Sequence, residues 1–277
     1  MQDLKKAVFV SGASSGLGRA VAEHLSSRGY TVYAGARSFD REDVSPPAGC
    51  VGVKLDVTDT ASVSAAFRYM LEKEKEIYAL VNCAAFFTMG SCEEVPPEEL
   101  AQIMNTNFIG MVRNVQAVLP VMRKQGYGRI INFSSINGVL AVPFQGAYTA
   151  SKHAIEGWSE ALAQEISRFG IDVSVVEPGD CKGGSQKYRH RCSASADIAS
   201  PYYEYYKAGT DKIHSDEENG MDQLRVASAV CGLLDSKKPP YRKVVATLTQ
   251  RSSIWLHKFL ARRTFNGIIT DYYAPKK

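Results

Sequence analysis

The chain has 277 residues, 45% of them hydrophobic and 22% charged, with a formal net charge of +4. This composition excludes a disordered chain and is long enough to bury a sizeable core, so one domain over residues 1–277 is expected. The mild, scattered positive charge excludes a nucleic-acid partner, and no apolar run reaches the length of a membrane span.

In chain order, the apolar run at 7–10 predicts a strand, and a Gly-rich turn leads from it into a helix over 17–28. Ala20, Val21, His24 and Leu25 form the stripe of that helix, and Gly29 is placed to end it. Strands are predicted at 30–36, 50–57 and 77–84, with Asp59 as the N-cap of the helix after the third strand. Pro96 and Pro97 open a helical segment that runs to Gly126. Further strands are predicted at 129–133 and 171–176, a helix at 221–234 and a last strand at 243–247. Repeated βα units with continuously apolar strands imply an α/β fold, a doubly wound parallel sheet with helices on both faces. After Pro178 the rhythm breaks into a polar, Tyr-rich stretch that includes Tyr188, Tyr202, Tyr203, Tyr205 and Tyr206. A substrate lid over about 183–220 is expected there. The six cysteines show no CxxC pair and no metal spacing, so no metal is expected, and Cys83 and Cys231 read as core thiols. With residues 1–6 leading straight into the first strand, no signal peptide and a reducing cytoplasm are the simplest expectations.

Three patterns carry chemistry. Gly12, Gly16 and Gly18 sit between a strand and a helix, within Ser11-Gly12-Ala13-Ser14-Ser15-Gly16-Leu17-Gly18. There they let backbone approach a pyrophosphate at a helix N-terminus; the plainer reading is an ordinary strand-to-helix turn. Arg37 ends the second strand with no carboxylate before Asp40. A cation there meets a 2′-phosphate and favours NADP(H), the alternative being a solvated loop arginine. Tyr148 and Lys152 are four residues apart, one turn along one helix face. A neighbouring ammonium lowers the pKa of a phenol toward neutrality, which suits proton exchange. Ser134 and Ser135 end the strand just upstream.

From residue 6 to residue 179 the sequence resembles the short-chain dehydrogenase/reductase family, whose fold is a single Rossmann-like sheet. Its TGxxxGxG corresponds to residues 11–18, its NNAG to Asn82-Cys83-Ala84-Ala85 with two departures, and its YxxxK to Tyr148 and Lys152. The resemblance implies a catalytic Asn107 that fixes a water linking Lys152 to solvent. It also implies Ser135, thirteen positions before the tyrosine, rather than Ser134. It adds Asp56 and Val57 at the adenine, Asn82 and Ala84 beside the cofactor, and Pro178-Gly179 after the sixth strand. Among cofactor contacts it therefore implies Gly12, Ser14, Ser15, Gly16, Leu17, Gly18, Arg37, Tyr148 and Lys152 as well. The family's threonine after Pro-Gly is missing, and Lys182 is available to reach a pyrophosphate instead.

The function implied is an NADP(H)-dependent carbonyl reductase or alcohol dehydrogenase. Phe87, Met89, Phe144 and the lid tyrosines imply an apolar pocket for a bulky, mainly hydrophobic ketone or alcohol. The C-terminal part is similar, less specifically, to hydroxysteroid and retinol dehydrogenases. A non-catalytic NADP(H) sensor is the alternative, and an isomerase or dehydratase the third reading. Ile254, Trp255, Phe259 and Leu260 beside basic residues make either a membrane-surface contact or a packing stripe. The family likeness further implies a homo-oligomer through the helices at 97–126 and 147–169.

Overall fold

The computed structural model describes residues 6–183 and 189–273. Its centre is a seven-stranded, all-parallel sheet. In chain order the strands and helices are β1 (Ala7–Ser11), α1 (Gly16–Ser27), β2 (Thr31–Ala36), β3 (Val51–Lys54), α2 (Thr60–Lys73), β4 (Ala79–Asn82) and β5 (Phe87–Met89). Then come α3 (Pro97–Met104), α4 (Gly110–Gln125), β6 (Gly128–Phe133), α5 (Gly146–Ile166) and β7 (Ile171–Pro178). The remainder is β8 (Arg189–Arg191), α6 (Tyr203–Glu218), α7 (Gln223–Asp235), β9 (Arg242–Val245), α8 (Leu248–Phe259) and α9 (Arg262–Tyr273).

The sheet order is β3-β2-β1-β4-β6-β7-β9. The order reverses between β1 and β4, which opens a crevice beyond the carboxyl ends of those strands. Both sheet faces are covered, which explains why β1, β4 and most of β7 are buried along their lengths. One apolar cluster joins Val8, Val10 and Val81 to α1 and α7. The opposite cluster joins Phe9, Leu80 and Ile130 to α2, α4 and α5. A third, smaller cluster links Met89, Leu140 and Val142 with Tyr206, Ile213, Ile254 and Phe265 of the C-terminal helices.

Local chemistry accounts for the helix limits. Asp59 caps α2 by accepting from the Ala61 N–H at 2.9 Å, as expected. Gly29 follows α1 at φ +89°, where a side chain would be strained. Thr247, expected in the last strand, instead caps α8 in a reciprocal box with Gln250. The third strand stops at Lys54, short of the expected residue 57, because Asp56 turns back and accepts from the Thr58 N–H and hydroxyl at 2.9 and 2.7 Å. The helical segment expected over 97–126 contains a π-turn at Asn105–Ile109. The lid region contains β8, paired in parallel with β5, and the exposed-faced helix α6; Tyr188 lies outside the described residues. In α8 Ile254 packs inward at 7% exposure, while Trp255 and Phe259 are exposed with ring centroids 4.6 Å apart. No helix among the described residues is long and apolar enough to cross a membrane.

The turn between β1 and α1 depends on close backbone approach. A Cβ on Gly18 would stand 2.3 Å from the Gly12 carbonyl oxygen, which cannot rotate away as a flexible side chain would. Gly157, inside α5, has nothing within 4 Å of such a carbon. Gly18→Ala is therefore expected to lower stability by about 1–3 kcal/mol. Gly157→Ala is expected to be neutral or to add up to about 1 kcal/mol. Urea unfolding of the two variants checks this, and equal midpoints would refute the close-approach account.

Candidate functional site

A cleft of about 600 Å³ runs across the carboxyl ends of the strands, from the end of β2 to the beginning of α5. At one end it is lined by Gly12, Ser14, Ser15, Gly16, Leu17 and Gly18. Gly12 has φ +71°, and a Cβ there would meet the Ala84 backbone at 2.6 Å. The missing side chains let the β1–α1 turn close against β4 and leave the N-terminus of α1 facing the cleft. That helix has no acidic residue in its first turn, and Ser15 makes no side-chain cap bond. An anion is favoured at such an end by the dipole and by the unpaired N–H groups. The residues fit the pyrophosphate of a dinucleotide.

Arg37, Asp56 and Val57 line the cleft beyond the turn. Arg37 is exposed and starts a short 3₁₀ turn. The nearest downstream carboxylate, Asp40, is held by Lys54 at 2.5 Å, and Arg37 is the cation facing the cleft here. Partial burial works against the Asp56 carboxylate, but the two Thr58 hydrogen bonds, with Arg37 and Arg113 nearby, hold it below its ordinary range.

At the other end stand Ser135, Tyr148 and Lys152. Ser135 follows β6 and caps the turn Ile136–Gly138, accepting from the Asn137 N–H at 3.2 Å. Tyr148 and Lys152 lie one turn apart on α5, and the Lys152 ammonium is 5.4 Å from the Tyr148 ring centroid. Lys152 donates to the Phe133 carbonyl at 2.7 Å and is 3% exposed. Burial pulls its pKa down to about 8, while Cys83 and Glu156 pull the other way. Burial also pushes the Tyr148 phenol up to about 12, against the hydrogen bond from Ser135. The spacing of Tyr148 and Lys152 predicts a lowered phenol; the phenol is raised instead, because its burial disfavours the phenolate.

Other expected residues fall elsewhere. Asn82 is 5% exposed and does not line the cleft. Its amide donates to Asn132 Oδ1 at 3.0 Å and its oxygen accepts from Asn114 at 2.9 Å, so it is an internal brace. Asn107 sits in the π-turn, buried behind the cleft wall. Its amide donates to the Phe86 carbonyl at 2.9 Å and to Ser151 Oγ at 3.0 Å, and its oxygen accepts from the Phe86 N–H at 2.6 Å. Its side chain thus holds the segment after β4 against α5. Lys182 faces a separate groove beside α1, with Glu23 and His24.

The substrate wall also differs from the expectation. Phe87 lines the cleft, its ring centroid 4.5 Å from that of Tyr148, but Met89 is fully buried beneath. Phe144 packs edge-on against Tyr206 at the left-handed φ of 62°. None of Tyr202, Tyr203, Tyr205 and Tyr206 lines the cleft. Tyr202 donates to Glu93, and Tyr205 is 54% exposed. The wall is built instead from Val142, Gln145, Ile213, Glu217 and Tyr273, together with Asp180. Sequence reasoning missed these. Asp180 had a legible signal, directly after Pro178-Gly179; Glu217 and Tyr273 are brought in only by the packing of α6 and α9. The described residues contain no group of three or more His, Cys, Asp or Glu able to hold a metal ion.

Comparison with known proteins agrees with this architecture. The family model for short chain dehydrogenases matches residues 6–191. A 3-ketodihydrosphingosine reductase of Bacteroides thetaiotaomicron is 37% identical over 253 residues, covering 90% of this chain and 92% of that protein. Human 17-beta-hydroxysteroid dehydrogenase type 1 is 33% identical over 184 residues, 62% of this chain and 56% of its own length. Among solved structures, a short-chain dehydrogenase from Streptomyces avermitilis superposes with a TM-score of 0.82 at 29% identity, covering 98% of this chain and 97% of that one. With the glycine turn, the Ser-Tyr-Lys group and six of the seven strands of the parallel sheet in the region the family model matches, the chain belongs to the short-chain dehydrogenase/reductase family of oxidoreductases.

Proposed function

We propose that the chain is an NADP(H)-dependent oxidoreductase that interconverts a ketone and a secondary alcohol on a bulky, mainly hydrophobic substrate such as a lipid or steroid. It works as one catalytic domain, with α6 contributing Ile213 and Glu217 to the substrate end of the cleft. The observation that carries the reading is the meeting of Ser135, Tyr148 and Lys152 at one end of a cleft whose other end has the glycine turn and Arg37. The relatives named for 3-ketodihydrosphingosine and for a hydroxysteroid support a bulky apolar ketone, as does the wall of Phe87, Ile136, Val142 and Ile213.

When a nicotinamide dinucleotide is bound, it supplies or accepts the hydride at the substrate carbon. The residues handle the proton and the charge. Tyr148 is held protonated by its burial and gives its proton to the carbonyl oxygen in the reducing direction. Ser135 hydrogen-bonds the same oxygen and stabilises the charge that develops there. The Lys152 ammonium, fixed by the Phe133 carbonyl under the Tyr148 ring, favours the phenolate that results. Asn107 is a positioning residue: through Ser151 and Phe86 it ties α5 to the cleft wall. Gly12, Gly16 and Gly18, with Ser14, Ser15 and Leu17, would hold the pyrophosphate; Asp56 and Val57 would hold the adenine and Arg37 the 2′-phosphate. Ala84, Pro178 and Gly179, which line the cleft, would hold the nicotinamide end.

Oxidation of NADPH against a panel of steroid, long-chain and small aromatic ketones tests the reading, and a best substrate that is a small polar metabolite would refute it. Tyr148→Phe keeps the ring and removes the proton, so kcat should fall by about two to four orders of magnitude with NADPH affinity little changed. Turnover at the parent rate would end the assignment of Tyr148.

Arg37→Ala removes the cation facing the phosphate site. The loss should weaken NADPH by about tenfold to a hundredfold, the scale of a charge-assisted contact, and NADH far less. Fluorescence titration of both cofactors decides this; equal weakening, or a parent enzyme that prefers NADH, contradicts it.

The pH dependence follows from Lys152. Its pKa is lowered by burial to about 8, so the charge is present below that pH and lost above it. In the reducing direction kcat/KM, which reports the free enzyme, should decline as pH rises through about 8. A pH–rate profile flat across that region would show that the ammonium is not required.

A further inference from the structure

Helix α8 is apolar on two sides. On its inward side Ile254 joins the cluster that holds Ile213 and Phe265, and Gln250 donates to Asp180 of the cleft at 2.6 Å. On its outward side Leu248, Trp255 and Phe259 are 85%, 59% and 67% exposed. They stand at i, i+7 and i+11, which at about 100° per residue keeps all three within about 40° of one line along the helix. The Trp255 and Phe259 rings pack on each other with centroids 4.6 Å apart. A single exposed apolar residue is ordinary, but three large ones on one line, two of them in contact, make a continuous patch of the kind that marks an interaction site. The chemistry of the cleft makes no use of this side of α8.

Charge selects the partner. From Thr247 to Arg263 the sequence holds Arg251, Lys258, Arg262 and Arg263 and no aspartate or glutamate. All four cations are exposed. None of them pairs with a carboxylate among the described residues; Arg262 meets the His257 ring instead. With Leu248 set at 0° round the helix, Arg251 and Lys258 fall at about 300° and 280°, directly beside the apolar line. Arg262 and Arg263 open α9 just beyond the end of α8. A second copy of the chain docked here about a twofold axis would bring these cations against their own equivalents, with no acid on the face to offset them. A bilayer with anionic headgroups answers both parts of the face. Aromatic rings settle at the headgroup level, and ammonium and guanidinium groups meet the phosphates above them.

We propose that the outward face of α8, with the start of α9, is a docking surface for an anionic lipid bilayer. Leu248, Trp255 and Phe259 enter the interface, and the four cations lie against the lipid phosphates. The chain lies on the membrane and does not cross it, in keeping with the absence of any spanning helix among the described residues. Gln250 points the opposite way round α8, to Asp180, so the bilayer and the cleft wall stand on two sides of one helix. The proposal rests on this surface alone and holds whatever substrate the cleft takes.

The test is flotation of the full chain with vesicles of phosphatidylcholine alone and of an equimolar mixture of phosphatidylcholine and phosphatidylglycerol. At low salt the chain should float with the mixed vesicles and far less with the neutral ones, and high salt should release it. A cation near an anionic surface is worth about fivefold in partitioning, so Arg251→Gln with Lys258→Gln should lower binding by about thirtyfold. Trp255→Ser with Phe259→Ser should lower it by about tenfold or more, through the apolar area no longer buried. Circular dichroism and the thermal midpoint check that both double variants are folded; if the serine pair is not, the charge pair and the salt dependence of the parent still decide. No flotation with the mixed vesicles, equal flotation with both kinds, or parent-like binding by either folded variant would overturn the proposal. So would a dimer in solution that the serine pair abolishes in the absence of vesicle binding, which would show that a second copy covers the face.

Discussion

A short chain of buried amides holds the two halves of this molecule in register. Asn114 of α4 donates to Asn82 at the end of β4 at 2.9 Å, and Asn82 donates to Asn132 of β6 at 3.0 Å. Asn132 in turn donates to Ser159 of α5 at 2.9 Å. Asn114, Asn132 and Ser159 are fully buried and Asn82 is 5% exposed. In so apolar an interior each unmade bond is costly, so the network admits one arrangement of two strands and two helices. That arrangement decides where α5 lies against the sheet, and therefore where Tyr148 and Lys152 meet the cleft. A hydrophobic face alone tolerates sliding; directional bonds of this kind do not.

Close backbone approach plays the complementary part at the other end. The β1–α1 turn fits against β4 because Gly12 and Gly18 have no side chains to separate them. The helix N-terminus is thereby set at the switch point between β1 and β4. The Ser-Tyr-Lys group lies across the same crevice because β6 and α5 belong to the other half of the sheet. One crevice then brings the N-terminus of α1 and the Ser-Tyr-Lys group together. Burial tunes the second half. It keeps the Tyr148 phenol protonated and brings the Lys152 ammonium close to the working pH, from opposite directions and for one reason, the absence of water around both.

The π-turn at Asn105–Ile109 shows how a helix is adapted to the site. A wide turn re-aims one side chain without ending the helix, and here it turns Asn107 toward Phe86 and Ser151. The segment after β4 is thus tied to α5 by one residue. Phe87, next in that segment, packs against the Tyr148 ring and the Arg189 guanidinium. The lid region is joined to the same segment by the pairing of β5 with β8, so the catalytic group and the substrate wall share their supports.

Much was legible in the residues alone. Continuous apolar runs alternating with amphipathic stretches specified a parallel α/β sheet. Gly12, Gly16 and Gly18 after a strand marked the tight β1–α1 turn, and Tyr148 with Lys152 at helical spacing marked one face of α5, because both are local patterns whose meaning depends on neighbours a few residues away. Strand ends were less legible: β3 stops early because Asp56 finds Thr58, a competition between local hydrogen bonds that apolar content does not reveal. Asn82 and Asn107 were recognisable as residues with a task, and only the fold shows which groups their side chains hold: Asn114 and Asn132 for the first, Phe86 and Ser151 for the second. The lid tyrosines looked like ligand contacts because aromatic residues suit apolar pockets, but which face of α6 meets the cleft is set by packing against α9 and by the β5–β8 ribbon. That packing turned Ile213 and Glu217 inward and brought Tyr273 from the far end of the chain. The substrate wall is made of residues far apart in sequence, so it was decided by tertiary structure; the cofactor turn and the Tyr-Lys pair are contiguous, so the sequence by itself determined them.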